Sequence, residues 1–233
     1  MFIISSRVGT RLGTLLLLCS FATAGAAQQQ TTTREPSLAA PERTLVLATT
    51  RSLGNPRPTT PRDLRTRLQK GGLVIVHRYT GSGGPRQSGD AVPGTIDDDQ
   101  RISQRSRTLM AQLGAKYREL RIPVAEALSS EYLFVYQHAT EALDPSVRLS
   151  RDLTGSLNFT DPQELEKSLQ NLRKRTVTPP PAGTNTVLFT HQGKFDKAWG
   201  IYPDAGWTLV FAPDGSGESQ LIASLPLTEF LAL

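Results

Sequence analysis

The sequence predicts an α/β protein, a three-layer α/β/α sandwich with a mainly parallel sheet and an antiparallel C-terminal hairpin at the edge. Two short runs, "LVIV" at 73–76 and "TVLFT" at 186–190, are continuously apolar, which is typical of parallel strands buried on both faces. Amphipathic segments separate these runs, so strands and helices alternate along the chain. Residues 206–227 contain two β-rich runs joined around Asp214–Gly215, which indicates a hairpin.

Residues 1–27 have the pattern of a secretory signal peptide. Arg7 and Arg11 precede an apolar run that is too short to span a membrane, and the small residues "AGAA" follow it. We expect cleavage after Ala26 or Ala27 and a periplasmic or secreted protein without a membrane span in its mature form. An uncleaved membrane anchor is the alternative.

Composition excludes several kinds of chemistry. The one cysteine, Cys19, lies inside the signal, so we expect no disulfide, thiolate metal site or cysteine nucleophile in the mature chain. With three histidines and no such cysteine we expect no metal site, and we expect no cofactor. The net charge of +5 comes from scattered basic residues, and aromatic residues are few, so we expect no nucleic-acid partner.

The chain then divides into an arm and a domain. Residues 28–60 are rich in Pro, Thr, Ser and Gln, which indicates a linker or loosely held arm. Within it "TLVLATT", at 44–50, would suit an added edge strand. The predicted domain is 61–233.

Local signals predict the helices of that domain. Pro61 begins a short helix that ends at two glycines, and Asp161 followed by a proline begins a later one. A loop is predicted from Thr80 to about Asp99, and helical spacing of apolar residues from 103 to 120. Ser130 is predicted to be the N-cap of a helix that ends near 142, after a short strand in "RIPVAEALSS".

Three of the predicted strand ends carry residues suited to binding an anion. Arg78 ends the first strand, Ser130 follows the second and His191 follows the third. The carboxyl ends of parallel strands converge on one crevice. A guanidinium, an imidazole and free N–H groups at a helix start would together form an anion site there.

The order of these pieces resembles the histidine phosphatase (phosphoglycerate mutase-like) superfamily, in particular its small secreted bacterial members. The resemblance runs from about 61 to 227 and is carried by "GGLVIV" at 71–76, by residues 100–130 ending in "EALSS", and by "NTVLFTHQ" at 185–192. It implies a phosphohydrolase fold in which a histidine after the first-strand arginine is phosphorylated. A second arginine after "SS" and a second histidine hold the phosphoryl oxygens.

This sequence departs from that pattern at two of the four positions. Arg78 matches the first arginine and His191 the later histidine, but Tyr79 stands at the nucleophile and Phe134 at the second arginine. The resemblance therefore implies a degenerate catalytic core.

Other residues could replace the lost groups. His77 would point to the same side of the strand as Tyr79, but roughly 6–7 Å deeper, too far for in-line attack. It is a candidate nucleophile or a hydrogen-bonded buried histidine. Tyr79 could act as a phenol nucleophile or form the pocket wall. His138 lies one turn after Phe134, where it would restore positive charge or be structural. Neither Glu131 nor Glu141 can be chosen as proton donor.

We expect a secreted histidine-phosphatase-like protein with impaired catalysis, which binds a phosphorylated or other anionic small molecule, or a protein partner, through the remnant pocket. The alternatives are an active phosphomonoesterase with an altered nucleophile and a protein-interaction module that uses 28–60. The catalytic candidates are Tyr79, His77 and His191, and the phosphate-binding candidates are Arg78, His191, Ser130 and His138.

Overall fold

A six-stranded mixed sheet forms the centre of the molecule in the computed structural model, which describes residues 59–86 and 89–233. The strands are β1 (Val74–Arg78), β2 (Val124–Ser129), β3 (Arg148–Leu149), β4 (Asn185–Thr190), β5 (Trp207–Pro213) and β6 (Ser219–Pro226). Their order is β3-β2-β4-β1-β5-β6; the first four are parallel, and β5 and β6 run antiparallel at one edge. The predicted fold class is confirmed.

Six helices surround this sheet in the described part of the chain. They are α1 (Pro61–Lys70), α2 (Gln104–Glu119), α3 (Leu133–Leu143), α4 (Pro162–Val177), α5 (Gln192–Trp199) and α6 (Leu227–Leu231), and two 3₁₀ turns occupy Arg151–Leu153 and Ser156–Asn158. None of the described helices is both long enough and apolar enough to cross a membrane.

Side-chain caps explain where three of the helices begin. The hydroxyl of Thr60 accepts the N–H of the third residue of α1, and Ser103 does the same for α2. Asp161 caps α4, whose first residue is Pro162. Such oxygens satisfy N–H groups that have no partner inside the helix. The starts predicted from Pro61 and Asp161 are confirmed, and α2 begins within the predicted helical segment 103–120, whereas the caps Thr60 and Ser103 were not predicted.

The predicted N-cap of α3 is wrong. Tyr132, not Ser130, occupies the N-cap position of α3. Ser130 continues the line of β2, because its N–H donates to the carbonyl of Phe189 on β4 at 3.0 Å. Its hydroxyl still serves the turn, since it accepts the N–H of Tyr132 at 3.1 Å.

Three short elements were not predicted: β3, α5 and α6. Helix α5 follows β4 directly and ends at Gly200, whose φ of 67° lies in the left-handed region. The predicted signal at 1–27 is outside the described residues. The predicted arm at 28–60, with its edge strand at 44–50, is also outside them apart from residues 59 and 60.

Two hydrophobic cores lie on the two faces of the sheet. Ile75 faces the core formed with α1, α2, α3 and α6. Val74 and Val76 face the opposite core, formed with α4 and α5. Because side chains alternate along a strand, the continuous apolar run of β1 fills both cores, and three layers result.

One buried amide fixes the amino ends of the central strands. The side chain of Asn185, at the start of β4, accepts the N–H of Leu73 at 3.1 Å. It donates to the carbonyls of Leu68 and Pro123, both at 2.9 Å. The segments that lead into β1, β2 and β4 are therefore joined at the end of the sheet opposite the crevice.

Candidate functional site

A cavity of about 420 Å³ opens where β1, β2 and β4 end. Its wall includes residues that directly follow these strands, among them Tyr79 and His191, together with Tyr132 and Phe134 at the start of α3. The wall is completed by Asp98, Gln100, Gly155, Ser156, Leu157, Gln192, Gly193, Asp196, Lys197 and Tyr202. The crevice predicted at the carboxyl ends of the strands is present.

Tyr79 forms part of an aromatic cluster in this wall. Its ring packs edge-on against Phe134, with centroids 4.9 Å apart, and against His191 at 5.5 Å. Phe134 is buried and also contacts Tyr132 at 5.8 Å. Edge-to-face packing at these separations is favourable for aromatic rings. The two positions where the resemblance predicts an imidazole and a guanidinium therefore hold two packed aromatic rings.

His191 is held by a serine and by aromatic neighbours. Its Nε2 lies 2.7 Å from Oγ of the buried Ser130, and its ring centroid lies 5.0 Å from that of Tyr132. Burial, with smaller contributions from the charges of Lys194 and Arg78, lowers the pKa of His191 to about 3. The imidazole is therefore neutral at pH 7.

Arg78 adjoins Tyr79 but is not one of the residues that line the cavity. Its Nη1 donates to the carbonyl of Pro203 at 2.6 Å, and its Cζ is 5.6 Å from the centre of the Tyr79 ring. Its Nε is buried and has no hydrogen-bond partner within the described residues. The guanidinium is thus close to the site with an unused donor.

The structure does not bring His77 to the cavity. His77 is 3% exposed, and its two ring nitrogens lie 2.8 Å from Thr208 Oγ1 and 2.9 Å from the Tyr117 hydroxyl. Its ring also packs against Phe189 at 5.0 Å. Burial lowers the pKa of His77 to about 3, so it is a neutral histidine of the core.

His138 joins α3 to the loop after β1. Its Nδ1 donates to the carbonyl of Phe134 at 2.6 Å, so its Nε2 accepts from the N–H of Gly81 at 3.4 Å and faces Thr80 Oγ1 at 3.1 Å. Burial, followed by the charge of Arg107, lowers the pKa of His138 to about 4. His138 contacts the Tyr79 ring from behind but does not line the cavity.

The carboxylates nearest the cavity are ones that the sequence did not single out. Asp98 and Asp196 line it, whereas Glu131 accepts from Thr154 and Glu141 pairs with Arg107. Asp98 comes from the long loop and Asp196 from α5, an element that was not predicted. The described residues contain no group of three or more His, Cys, Asp or Glu side chains that could hold a metal ion.

A buried lysine in the first turn of α5 was also missed. Lys194 is fully buried, and its Nζ donates to Ser168 Oγ and lies 4.4 Å from the centre of the Phe159 ring. Burial lowers the pKa of Lys194 to about 8. Its position three residues after His191 was readable in the sequence, but its burial was not.

Comparison with solved structures gives matches to phosphatases. No protein-family model matches the chain, and no curated protein matches it. Solved histidine phosphatases resemble the chain in structure. The protein histidine phosphatase SixA, in complex with tungstate, shares 13% identity over 67% of this chain and 97% of its own, with a TM-score of 0.47.

Two further phosphatases match over similar lengths. The alpha-ribazole phosphatase from Shigella flexneri shares 12% identity over 64% of this chain and 94% of its own, with a TM-score of 0.45. A variant phosphoserine phosphatase from Entamoeba histolytica, in complex with phosphoserine, shares 11% over 67% and 98%, with a TM-score of 0.43. Similarity at this level assigns neither a reaction nor a residue to the present chain.

Proposed function

We propose that this is a catalytically impaired, histidine-phosphatase-like protein that binds a phosphorylated or other anionic ligand in the crevice without hydrolysing it. One observation carries the proposal. The cavity-facing residue after β1 is Tyr79, and its ring is packed edge-on between Phe134 and His191. A histidine nucleophile would have to stand at that position for the chemistry that the resemblance implies.

The histidines of the described chain support the loss of catalysis. A nucleophile must reach the bound phosphorus to within about 3–3.5 Å. His77 is enclosed in the core with both nitrogens bonded, and His138 uses both of its nitrogens between α3 and the loop. His191 lines the cavity, but Ser130 occupies its Nε2.

The charges around His191 support an anionic ligand. Two cations adjoin the wall of the crevice. The Cζ atom of Arg78 lies 5.6 Å from the centre of the Tyr79 ring, and Lys194 lies in the first turn of α5, next to the lining residue Gly193. Lys194 is held by a hydroxyl and an aromatic ring, and its Nζ makes no ion pair in the described structure. The Nε of Arg78 is buried and has no hydrogen-bond partner within the described residues, so one donor of this cation is unused.

The test has two readouts on the full-length protein. With p-nitrophenyl phosphate from pH 4 to 9 we expect no turnover above buffer. Phosphate or vanadate should raise the melting temperature, and Arg78→Ala should remove that rise. Turnover that is lost in His191→Ala would overturn the proposal. The double substitution Tyr79→His with Phe134→Arg should create activity if the lost residues are the cause.

A second candidate is an active phosphomonoesterase with Tyr79 as nucleophile. It is favoured by the presence of Tyr79 in the same cavity wall as His191, 5.6 Å from the cationic centre of Arg78. A phenol attacks covalently only when its proton is removed. Turnover abolished by Tyr79→Phe, with the melting temperature retained, would select this candidate.

The proposal includes export. Residues 1–27 have a basic, apolar and small-residue pattern in the order of a cleaved signal. The mass of the protein isolated from the periplasmic or extracellular fraction should correspond to a chain that starts after Ala26 or Ala27.

A melting temperature that no anion changes would instead support a protein-interaction module acting through 28–60.

A further inference from the structure

We propose that the ligand of this crevice has a flat aromatic body and a single anionic end, and that the body docks between Leu157 and Tyr202. The inference deepens the proposed function and rests on it for the anionic end. Among the described residues, the large hydrophobic side chains that are exposed are Leu157, at 96%, and Tyr202, at 60%. Both line the same cavity.

These two side chains come from separate parts of the chain. Leu157 lies in the 3₁₀ turn Ser156–Asn158. Tyr202 lies in the segment after α5, two residues after the C-cap Gly200. Single exposed apolar residues are ordinary on protein surfaces. Two that line one cavity, where the other large apolar side chains of residues 59–86 and 89–233 are covered, indicate a surface that a ligand covers.

The deeper wall has the same character. Tyr79, Tyr132 and Phe134 present aromatic rings to the cavity, and His191 beside them is neutral. Apolar and aromatic walls with a few polar groups are typical of sites for organic molecules. A volume of about 420 Å³ also falls within the usual range for such sites, roughly 300–1,000 Å³, and is far larger than one phosphate requires.

The charged residues limit the ligand to one anionic end. Asp98 and Asp196 line the cavity and contribute two carboxylates, against the single ammonium of Lys197. Arg78 lies beside Tyr79 and Lys194 lies in the first turn after His191, so both cations are at the carboxyl ends of β1 and β4. A second anionic group elsewhere along the wall would be repelled by the carboxylates. Polyphosphorylated ligands are therefore disfavoured, and an uncharged aromatic body is favoured.

Matched phosphonates test the aromatic body without any risk of hydrolysis. Titration calorimetry on the full-length protein compares methylphosphonate with 1-naphthylphosphonate, which share the anionic end and differ in the body. We expect the naphthyl compound to bind at least about tenfold more tightly, because its ring buries apolar surface. Leu157→Ser and Tyr202→Ser should each weaken its binding by about three- to tenfold and leave methylphosphonate binding unchanged.

The controls separate packing from folding. Tyr202→Phe keeps the ring and should retain the affinity for 1-naphthylphosphonate. The melting temperatures of all three variants should match that of the parent, because the substituted side chains are exposed. Tripolyphosphate should bind more weakly than 1-naphthylphosphonate, and tighter binding of tripolyphosphate would overturn the inference.

The outcomes distinguish this inference from the proposed function. Equal affinities for the two phosphonates would overturn the inference and leave anion binding standing. Binding of uncharged 1-naphthol as tight as that of 1-naphthylphosphonate would overturn the anionic end and keep the aromatic site. A protein that binds none of the probes contradicts both proposals.

Discussion

The Nε2 atom of His77 lies 2.9 Å from the hydroxyl of Tyr117, inside the core between the sheet and α2. The other ring nitrogen lies 2.8 Å from Thr208 Oγ1 on β5. The residue therefore links three elements through hydrogen bonds that require no charge. His77 is the first of the two basic residues that end β1, and its side chain lies in the core and not in the crevice.

This arrangement predicts a loss of stability in mild acid. The pKa of His77 falls from 6.5 to about 3 on folding, so between these values the unfolded chain binds the extra proton. The free energy of unfolding should then decrease as pH falls from about 6.5 towards 4, by about 1.4 kcal/mol per pH unit for each such histidine. His138 and His191 act in the same direction. Urea denaturation at pH 4.5 to 7 measures how the free energy of unfolding depends on pH.

His77→Gln is the matched variant for that slope. Glutamine is polar but does not titrate in this range. The pH dependence of the unfolding free energy should therefore decrease by the contribution of one histidine, about 1.4 kcal/mol per pH unit. Arg105→Gln, an exposed change on α2, should leave the slope as it is. An unchanged slope in His77→Gln would show that this histidine does not carry the effect.

The burial of Lys194 predicts a change in the free energy of unfolding at alkaline pH. Its pKa falls from 10.5 to about 8 on folding, so between these values the unfolded chain again binds more protons. The free energy of unfolding should increase as pH rises from about 8 to 10.5, because the buried ammonium loses its charge. Lys194→Met should abolish this increase while it preserves the packing on Phe159. Lys167→Met, at an exposed position on α4, is the control.

Gly155→Ala should displace His191. A Cβ at residue 155 would lie 3.2 Å from Nδ1 of His191, which is tighter than ordinary contact. The imidazole should shift by a few tenths of an ångström, and its NMR signals and the affinity for phosphonates should change with little loss of stability. Gly81→Ala is the matched control, because its Cβ would meet Ser106 Oγ at an ordinary 3.5 Å. Identical His191 signals in Gly155→Ala and the parent would contradict the close approach.

Gly114→Ala sets helix propensity against packing. Alanine should stabilise α2 by about 1 kcal/mol through propensity, but its Cβ would lie 2.3 Å from the carbonyl oxygen of Ala142 on α3. We expect the clash to win and the variant to lose about 1–3 kcal/mol in denaturant unfolding. Gln112→Ala, exposed on the same helix, should change stability by less than about 0.5 kcal/mol. A stabilised Gly114→Ala would mean that the two helices separate freely.

The ion pairs of Arg101 predict how the long loop before α2 responds to limited proteolysis. Its side chain is 2% exposed and pairs with both oxygens of Asp97 and with Asp90. Replacement of the guanidinium removes the ion pairs with Asp90 and Asp97, which connect separate parts of this loop. Arg101→Gln should therefore make residues 89–102 sensitive to limited proteolysis. Arg105→Gln, exposed four residues later, should remain as resistant as the parent.

Elements with local signals were predictable from the sequence. Pro61 at the start of α1, the Asp161 cap of α4, the helical spacing of apolar residues in α2 and the apolar runs of β1 and β4 act through neighbours along the chain, and all are where they were predicted. Strand β3 has two residues and no pattern of its own, and α5 starts without a side-chain cap. These elements depend on partners distant in sequence, so local signals could not indicate them.

The candidate site divides in the same way. Tyr79 and His191 follow strands, so their places at the crevice could be derived from the topology. Leu157, Tyr202 and Asp98 lie outside the strands and helices α1–α6, and their approach to the cavity depends on packing between distant segments. The burial of His77 was one of two alternatives, because strand alternation fixes a direction but not a depth.

Asn185 separates two requirements that the same three strands must meet. Its single amide holds the segments entering β1, β2 and β4 at one end of the sheet, and the cavity residues follow these strands at the other end. The residues that keep the strands aligned are therefore not the residues that a ligand would touch. The residues that line a crevice on such a frame can change without a change in the strands that carry them.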